Sequence, residues 1–323
     1  MNSGSKWLLA LATTGALGLG IAACGDDDDD SSSGGGDLSG TVSIDGSSTV
    51  QPFAEAAGEL FKEENSGVDT TVGTSGTSGG FEKFCAGETD ISDASRPIEP
   101  EEEKLCQEGG VDYSEVQVAN DGIAVVTNPE VAISCLTTDQ LKQLWEPDSK
   151  ITNYSQLGND ADTGEPLPDV DVSLYGAGTD SGTFDYFTEQ INGEEGASRD
   201  DYQPSEDDNV LVQGVSGDSG GLGYFGFSYY EDNQDALNLV SVDGGDGCVA
   251  PSLETIQDGS YTPLARPLFM YPAAKALERS EVEGFMNYVV DNYDSIAEAS
   301  SIVPMDDTQA GEARTALDEA LGK

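Results

Sequence analysis

Histidine is absent from this chain, so the commonest general acid/base of enzymes is missing. The string Gly217-Asp218-Ser219-Gly220-Gly221 spells the nucleophile segment of chymotrypsin-like proteases, but no imidazole exists to take the serine proton. Cations are scarce as well: 13 lysines and arginines stand against 62 aspartates and glutamates, a net charge of −49. Such a chain repels nucleic acid and anionic membrane surfaces, so no nucleic-acid role is expected. There is no CxxC pair, and the wide cysteine spacing without histidine gives structural zinc no ligand set. No internal repeat is present. Gly221-Leu222-Gly223-Tyr224-Phe225-Gly226 matches a dinucleotide string, yet aromatics follow it where an amphipathic helix is required.

The carboxylate excess that remains reads as a surface adapted to high salt, where charges are screened within about 3 Å at 1 M. A receptor for an anion built on such a surface must bind through short-range donors inside a closed site. Five aspartates in a row, Asp26 to Asp30, impose no coordination geometry and are read as a solvated run rather than a calcium site.

Long apolar runs are also lacking. The first 24 residues carry Lys6, the apolar stretch Trp7 to Ala12, small residues, and then Ile21-Ala22-Ala23-Cys24. That pattern is an export signal ending in a lipobox, with Cys24 as the lipidation site. Residues 25–39 are aspartate, serine and glycine, an extended tether without a core. About 285 residues then remain, enough for one large or two moderate domains.

Strand-like alternation at 41–44, 69–73, 172–175 and 267–271 and helical apolar spacing at 52–61, 80–85, 136–145 and 184–191 follow one another along the chain. Residues 117–119 and 122–127 read as two strands, 222–230 as a buried aromatic strand, and 282–290 and 308–321 as helices. Thr137 or Thr138 caps the helix that ends at Trp145. This alternation predicts an α/β fold of doubly wound type.

Three loops sit between a strand and a helix: Asp45-Gly46-Ser47-Ser48-Thr49-Val50, Gly76-Thr77-Ser78-Gly79-Gly80 and Gly178-Thr179-Asp180-Ser181-Gly182-Thr183. A helix start offers unpaired N–H groups and about half a positive charge, glycine admits a ligand to the backbone, and hydroxyls add neutral donors. Three such loops, so far apart in the chain, form one oxyanion site only in a two-lobed receptor with a cleft. Arg96, between Ser95 and Pro97, is the preferred cation because a guanidinium holds two oxygens at once. Arg266, also followed by proline, ranks second because no hydroxyl-rich turn adjoins it. With Cys24 lipidated, Cys85, Cys106, Cys135 and Cys248 point to two disulfides outside the cytoplasm. Of three pairings, Cys85 with Cys106 is preferred for its short loop within one lobe, leaving Cys135 with Cys248 in the other.

In order, residues 46–52, the Thr77-Ser78-Gly79-Gly80 loop, residues 90–97, the Ser181-Gly182-Thr183 triplet and the Gly-Tyr-Phe-Gly-Phe stretch at Tyr224 resemble the phosphate-binding protein of the phosphate-specific ABC importer. The resemblance spans residues 40–320. It implies a periplasmic-binding-protein-like fold of type II, each lobe a mixed sheet flanked by helices. Lobe 1 would comprise 40–119 plus 265–323 and lobe 2 would comprise 120–264, with crossings near 119 and 265. It implies a monomeric, lipid-anchored, extracytoplasmic receptor, without enzymatic activity or cofactor, that passes inorganic phosphate to ABC permease subunits.

Carried over by position, Ser48, Thr49, Val50 and Thr77 or Ser78 donate from the first lobe, Ser181, Gly182 and Thr183 from the second. Two positions depart from the family. Its arginine four residues before the serine of the triplet is here Ala177, and its aspartate after the serine matching Ser95 is here Arg96. The cation thus changes lobes, and the carboxylate that accepts the phosphate proton and rejects sulfate falls to Asp180 or Asp93. The alternatives are a receptor for sulfate or molybdate and, from another class, a surface phosphatase or hydrolase, for which no base or metal cluster stands out.

Overall fold

A computed structural model describes residues 38–179 and 181–323. The export signal, Cys24, nearly all of the tether and Asp180 lie outside the described residues. Ser39, assigned to the tether, is already the first residue of a strand.

The chain runs β1 (Ser39–Gly46), α1 (Gln51–Glu64), β2 (Gly67–Gly73), α2 (Gly76–Cys85), β3 (Ile91–Ala94), α3 (Pro100–Gly109) and then the long strand β4 (Val116–Thr127). It continues with β5 (Cys135–Thr137), α4 (Thr138–Trp145), β6 (Ser173–Ala177), α5 (Gly182–Phe187), β7 (Gln203–Ser205), α6 (Asp208–Gly217), β8 (Gly221–Gly226) and α7 (Phe227–Glu231). Next come β9 (Asn238–Asp243), β10 (Cys248–Val249), α8 (Leu253–Gln257), β11 (Ala265–Pro272), α9 (Ser280–Asp291), α10 (Tyr293–Ser300) and α11 (Asp307–Ala320). Among the described residues, no helix is long and apolar enough to cross a membrane.

The strands lie in the order β2-β1-β3-β11-β4-β8-β6-β7, with β9 also paired to β4 and carrying β5 and β10. Pairing is parallel through β2, β1 and β3, antiparallel around β11 and β4, and parallel again from β8 through β6 to β7. This is a mixed α/β sheet covered by helices. Its apolar residues divide between cores. Val42, Ile44, Phe53, Ala57, Phe61, Leu268, Phe285 and Val289 belong to the first, and Val125, Trp145, Leu174, Phe187, Tyr224 and Val240 to the second. The spacing in α1 explains its docking: Phe53, Ala57 and Phe61 recur every four residues and fall on one face.

Only β4 and β11 serve both cores among the described strands. Val116, Val118 and Ala119 pack in the first core, whereas Ile123 to Val126 pack in the second. The strand read as two is therefore one, because its polar middle is buried and satisfied. The Asn120 amide donates to the carbonyl of Pro304 and to Gln309 Oε1, and Asp121 pairs with Arg266 on β11.

Other boundaries also shift. The aromatic run ends as a strand at Gly226, where pairing to β4 stops, and Phe227–Glu231 turns helical. The helix read at 184–191 starts earlier, at Gly182, and ends in a wider π-type turn at Thr188–Asn192. Thr137 is the cap of α4, its hydroxyl accepting from Gln140 N. Asp218 accepts from Gly220 N at 3.0 Å and from the Tyr175 hydroxyl at 3.2 Å, so the protease-like string is a turn into β8. Both preferred disulfides are present: Cys85–Cys106 ties α2 to α3, and Cys135–Cys248 ties β5 to β10 across β9.

Candidate functional site

The first hydroxyl loop leaves β1 where Gly46 packs against the backbone of Asp93. Ser47 N donates to Asp93 O at 3.0 Å, and Ser47 then organises the turn, its Oγ accepting from Thr49 N at 3.2 Å and its carbonyl from Val50 N at 3.2 Å. The second loop is held by Asp45, the last side chain before that glycine. Asp45 Oδ1 accepts from Ser75 N at 3.1 Å, while Oδ2 meets Lys83 Nζ at 2.7 Å. Burial works against the Asp45 charge, but the bonds from Lys83 and Ser75 outweigh it and hold its pKa below the usual value. Gly76 (φ +76°) takes the left-handed turn that starts α2. Thr77 Oγ1 then lies 3.1 Å from Ser95 Oγ, and Ser78 Oγ accepts from Arg96 Nη2 at 2.9 Å.

The third loop follows β6. Ser181 caps α5, its Oγ accepting from Thr183 N at 3.2 Å. Gly182 packs directly against the first loop. A Cβ built on it would lie 2.4 Å from Thr49 Oγ1, 2.7 Å from Ser48 Oγ and 2.8 Å from Thr49 N. Segments more than 130 positions apart thus touch through a residue that has no side chain.

Around this contact lies a cavity of about 610 Å³ whose wall includes Ser48, Thr49, Thr77, Ser78, Ser95, Arg96, Gly182 and Arg266. Val50, Ser181 and Thr183 are not among the residues that line it; Val50 is buried beneath the first loop. Glu99, Asp185, Glu189 and Glu195 also line it. Asp93 is buried in the first core, and neither carboxylate oxygen has a hydrogen-bond partner among the described residues. Burial, with the charge of Asp45 second, pushes its pKa well above the ordinary carboxylate range. Asp93 is absent from the cavity wall.

The two arginines of the wall are held differently. Arg96 Nη1 and Nη2 each reach one oxygen of Glu102 at 2.8 Å, and Nε lies 3.5 Å from Glu99. This fork raises the Arg96 pKa, with the charges of Glu102, Glu99 and Glu189 adding to it. Burial opposes ionisation of Glu102, yet the Arg96 bonds prevail and lower its pKa. Arg266 instead donates from Nε to Asp121 at 3.1 Å and from Nη2 to Thr49 Oγ1 at 2.7 Å and the Gly182 carbonyl at 3.4 Å. Its guanidinium carbon sits 3.7 Å over the Tyr186 ring. Neither Tyr186 nor Asp121 was singled out from sequence, and nothing at either position marks it there.

A PBP superfamily domain matches residues 31–292. Among relatives, the protein SphX of Synechococcus elongatus is 43% identical over 267 residues, 82% of this chain and 77% of its own. The phosphate-binding protein PstS of Staphylococcus saprophyticus is 36% identical over 323 residues, 98% and 96% of the two chains. Among solved structures, a possible phosphate binding protein from Planctomyces limnophilus superposes with a TM-score of 0.81 at 42% identity, covering 88% of this chain and 99% of that one. A putative phosphate ABC transporter substrate-binding protein from Clostridium perfringens, with bound phosphate, matches at a TM-score of 0.56 and 26% identity, covering 83% and 100%. With its mixed two-lobed sheet and its hydroxyl-lined cleft, the chain belongs to the PBP superfamily and, within it, to the family of the PstS and SphX proteins.

Proposed function

We propose that this protein captures inorganic phosphate outside the cytoplasm and delivers it to the permease of an ABC importer, as a monomer tethered through lipid on Cys24. The observation that carries the reading is the seat of Gly182 against Ser48 and Thr49, which brings hydroxyls and N–H groups of distant loops to one point. Ser48, Thr49, Thr77, Ser78 and Ser95 supply neutral donors, Gly182 brings backbone to the wall, and Arg96 and Arg266 bring positive charge to it; Val50, Ser181 and Thr183 stand behind that wall, their N–H groups held by the Ser47 carbonyl, the Gly178 carbonyl and Ser181 Oγ. A tetrahedral ion with four oxygens takes such a dense donor set, whereas an uncharged solute does not. The names of the relatives agree with this reading, as does the phosphate held by the Clostridium perfringens protein. The lobes, 40–119 with 265–323 and 120–264, close about β4 and β11.

Binding here is capture without chemistry. Titration calorimetry of the full chain in detergent tests it: phosphate releases heat with one site per chain, and sulfate and molybdate compete weakly or not at all. Tighter sulfate or molybdate binding reassigns the ligand. Turnover of a chromogenic phosphate ester replaces the receptor reading with a hydrolase.

A further inference from the structure

The geometry points to Arg266, carried on the hinge strand β11, as the guanidinium that contacts the bound ion and sets its affinity, with Arg96 serving as a wall group already matched by carboxylates. This assignment rests on the phosphate reading above.

Arg96 is committed within its own lobe. Both terminal nitrogens are engaged by the two oxygens of Glu102, a nearly buried carboxylate that also accepts from Glu99 N at the start of α3. Turning Arg96 toward an anion would leave Glu102 buried without its partner, which is costly. Glu99 lies nearby as a second negative charge. The local balance around Arg96 is therefore negative.

Arg266 is placed otherwise. One carboxylate, Asp121, takes Nε, and Nη2 is directed at Thr49 Oγ1 and the Gly182 carbonyl, the two sides of the interloop contact. Nη1 makes no hydrogen bond among the described residues. Rigidity comes from Tyr186, whose ring lies under the guanidinium and whose hydroxyl bonds the carbonyls of Pro263 and Ala265 at 2.6 and 3.1 Å, where β11 begins. A guanidinium fixed in this way offers the two N–H groups of Nη1 to a tetrahedral ion without ordering itself first.

Position adds a second argument. Arg266 stands opposite Asp121 in the β11–β4 pairing, on the strands that pass between the cores, so it stays at the pivot when either lobe moves. Thr49 Oγ1 accepts from Arg266, which turns the threonine's own proton away from the arginine and leaves it to donate to the ion. Arg266 thus acts on the ligand directly and through Thr49.

Calorimetry of phosphate binding to the full chain in detergent, with parent, R266Q, R266K, R96Q and D121N and the unfolding temperature of each without ligand, tests the assignment. Expected are a loss of about 100-fold in R266Q, partial recovery in R266K and a loss below about tenfold in R96Q. D121N frees the guanidinium of its carboxylate and tightens phosphate several-fold, whereas a merely structural Asp121–Arg266 pair predicts weaker binding. If R266Q does not fold, D121N and R266K decide. Parent binding with unchanged affinity in R266Q, or D121N weaker than parent, overturns the assignment alone. No phosphate binding by the parent overturns the phosphate reading and the assignment together.

Discussion

Replacing Gly182 with alanine places a methyl group where the two lobes meet. Gly182 has no positive φ, so alanine meets no backbone strain, and at the start of a helix it is well tolerated. The whole effect is steric and lies between segments. The new carbon would fall 2.4 Å from Thr49 Oγ1 and 2.7 Å from Ser48 Oγ, hydroxyls that can rotate aside, but also 2.8 Å from Thr49 N, which cannot. That last distance is about 0.7 Å short of normal contact, so the first and third loops must separate by that much or more.

Donors that converge on one ion lose it together when one side retreats. With at least two charge-assisted bonds weakened at about 1.5 kcal/mol each, the loss is about 3 kcal/mol, or roughly 100-fold in affinity. Opening the cleft relieves the overlap in the free protein, so the unfolding temperature without phosphate is expected to stay within a few degrees of the parent, about 1 kcal/mol. Calorimetry with phosphate and a thermal scan without it check both halves. Unchanged affinity at unchanged stability would refute the reasoning, since it would mean that the ion does not depend on the seat of Gly182 against Thr49.

Asp93 keeps its proton in the fold while an unfolded carboxyl near 3.8 loses it, so stability falls as pH rises above that value, by about 1.4 kcal/mol per unit while the folded group stays neutral. D93N removes this slope: its unfolding temperature declines less as pH rises from about 4 than the parent's, and parallel curves would falsify the buried neutral acid. Asp208 is raised to about 6, chiefly by burial, and carbon-detected NMR is expected to place its titration there; an ordinary midpoint near 4 contradicts the packing around α6. Breaking Cys135–Cys248, with a separation of 113 residues, is expected to cost about 4–5 kcal/mol, against about 3 for Cys85–Cys106 with 21. Denaturant melts of the two double Cys→Ala variants compare them, and a larger loss for the short loop would show that local packing dominates.

How far the sequence was legible depended on whether a signal was local. The hydroxyl loops were, because glycine, serine and threonine between a strand and a helix mark a turn that offers backbone donors. The α/β alternation was legible for the same reason. By contrast, α3 went unread: Glu102 and Cys106 are its buried residues, so it has no apolar period, and a capping box and a disulfide hold it in place. In β4, Asn120 and Asp121 looked like a break because their partners, Pro304, Gln309 and Arg266, lie far along the chain. Arg266 was ranked low for want of a neighbouring hydroxyl. The hydroxyl exists, but it belongs to Thr49, 217 positions away.

The scarcity of cations makes their placement informative. The chain has five arginines, and each ties together groups that a lysine could not hold at once. Arg199 bonds the carbonyls of Leu144 and Ile151 and the carboxylate of Asp201 inside the second core's territory. Arg279 joins Asp90 to the Thr41 carbonyl, and Arg314 joins Asn287 to Asp291, both around the first core. Arg96 closes on Glu102 and Ser78 beside the same core. All four fasten one body to itself. Arg266 alone among them reaches a side chain of the first loop and a carbonyl of the third from a strand shared by both cores. An internal fastener has no need to stand there. On the assignment proposed above, a cation for an ion held between the lobes does, since at the pivot its distance to both walls would change least as they close. In a chain whose overall field repels anions, and in a cavity whose wall also carries Glu99, Asp185, Glu189 and Glu195, a fixed guanidinium beside hydroxyl donors works at contact range, where screening by salt is weakest.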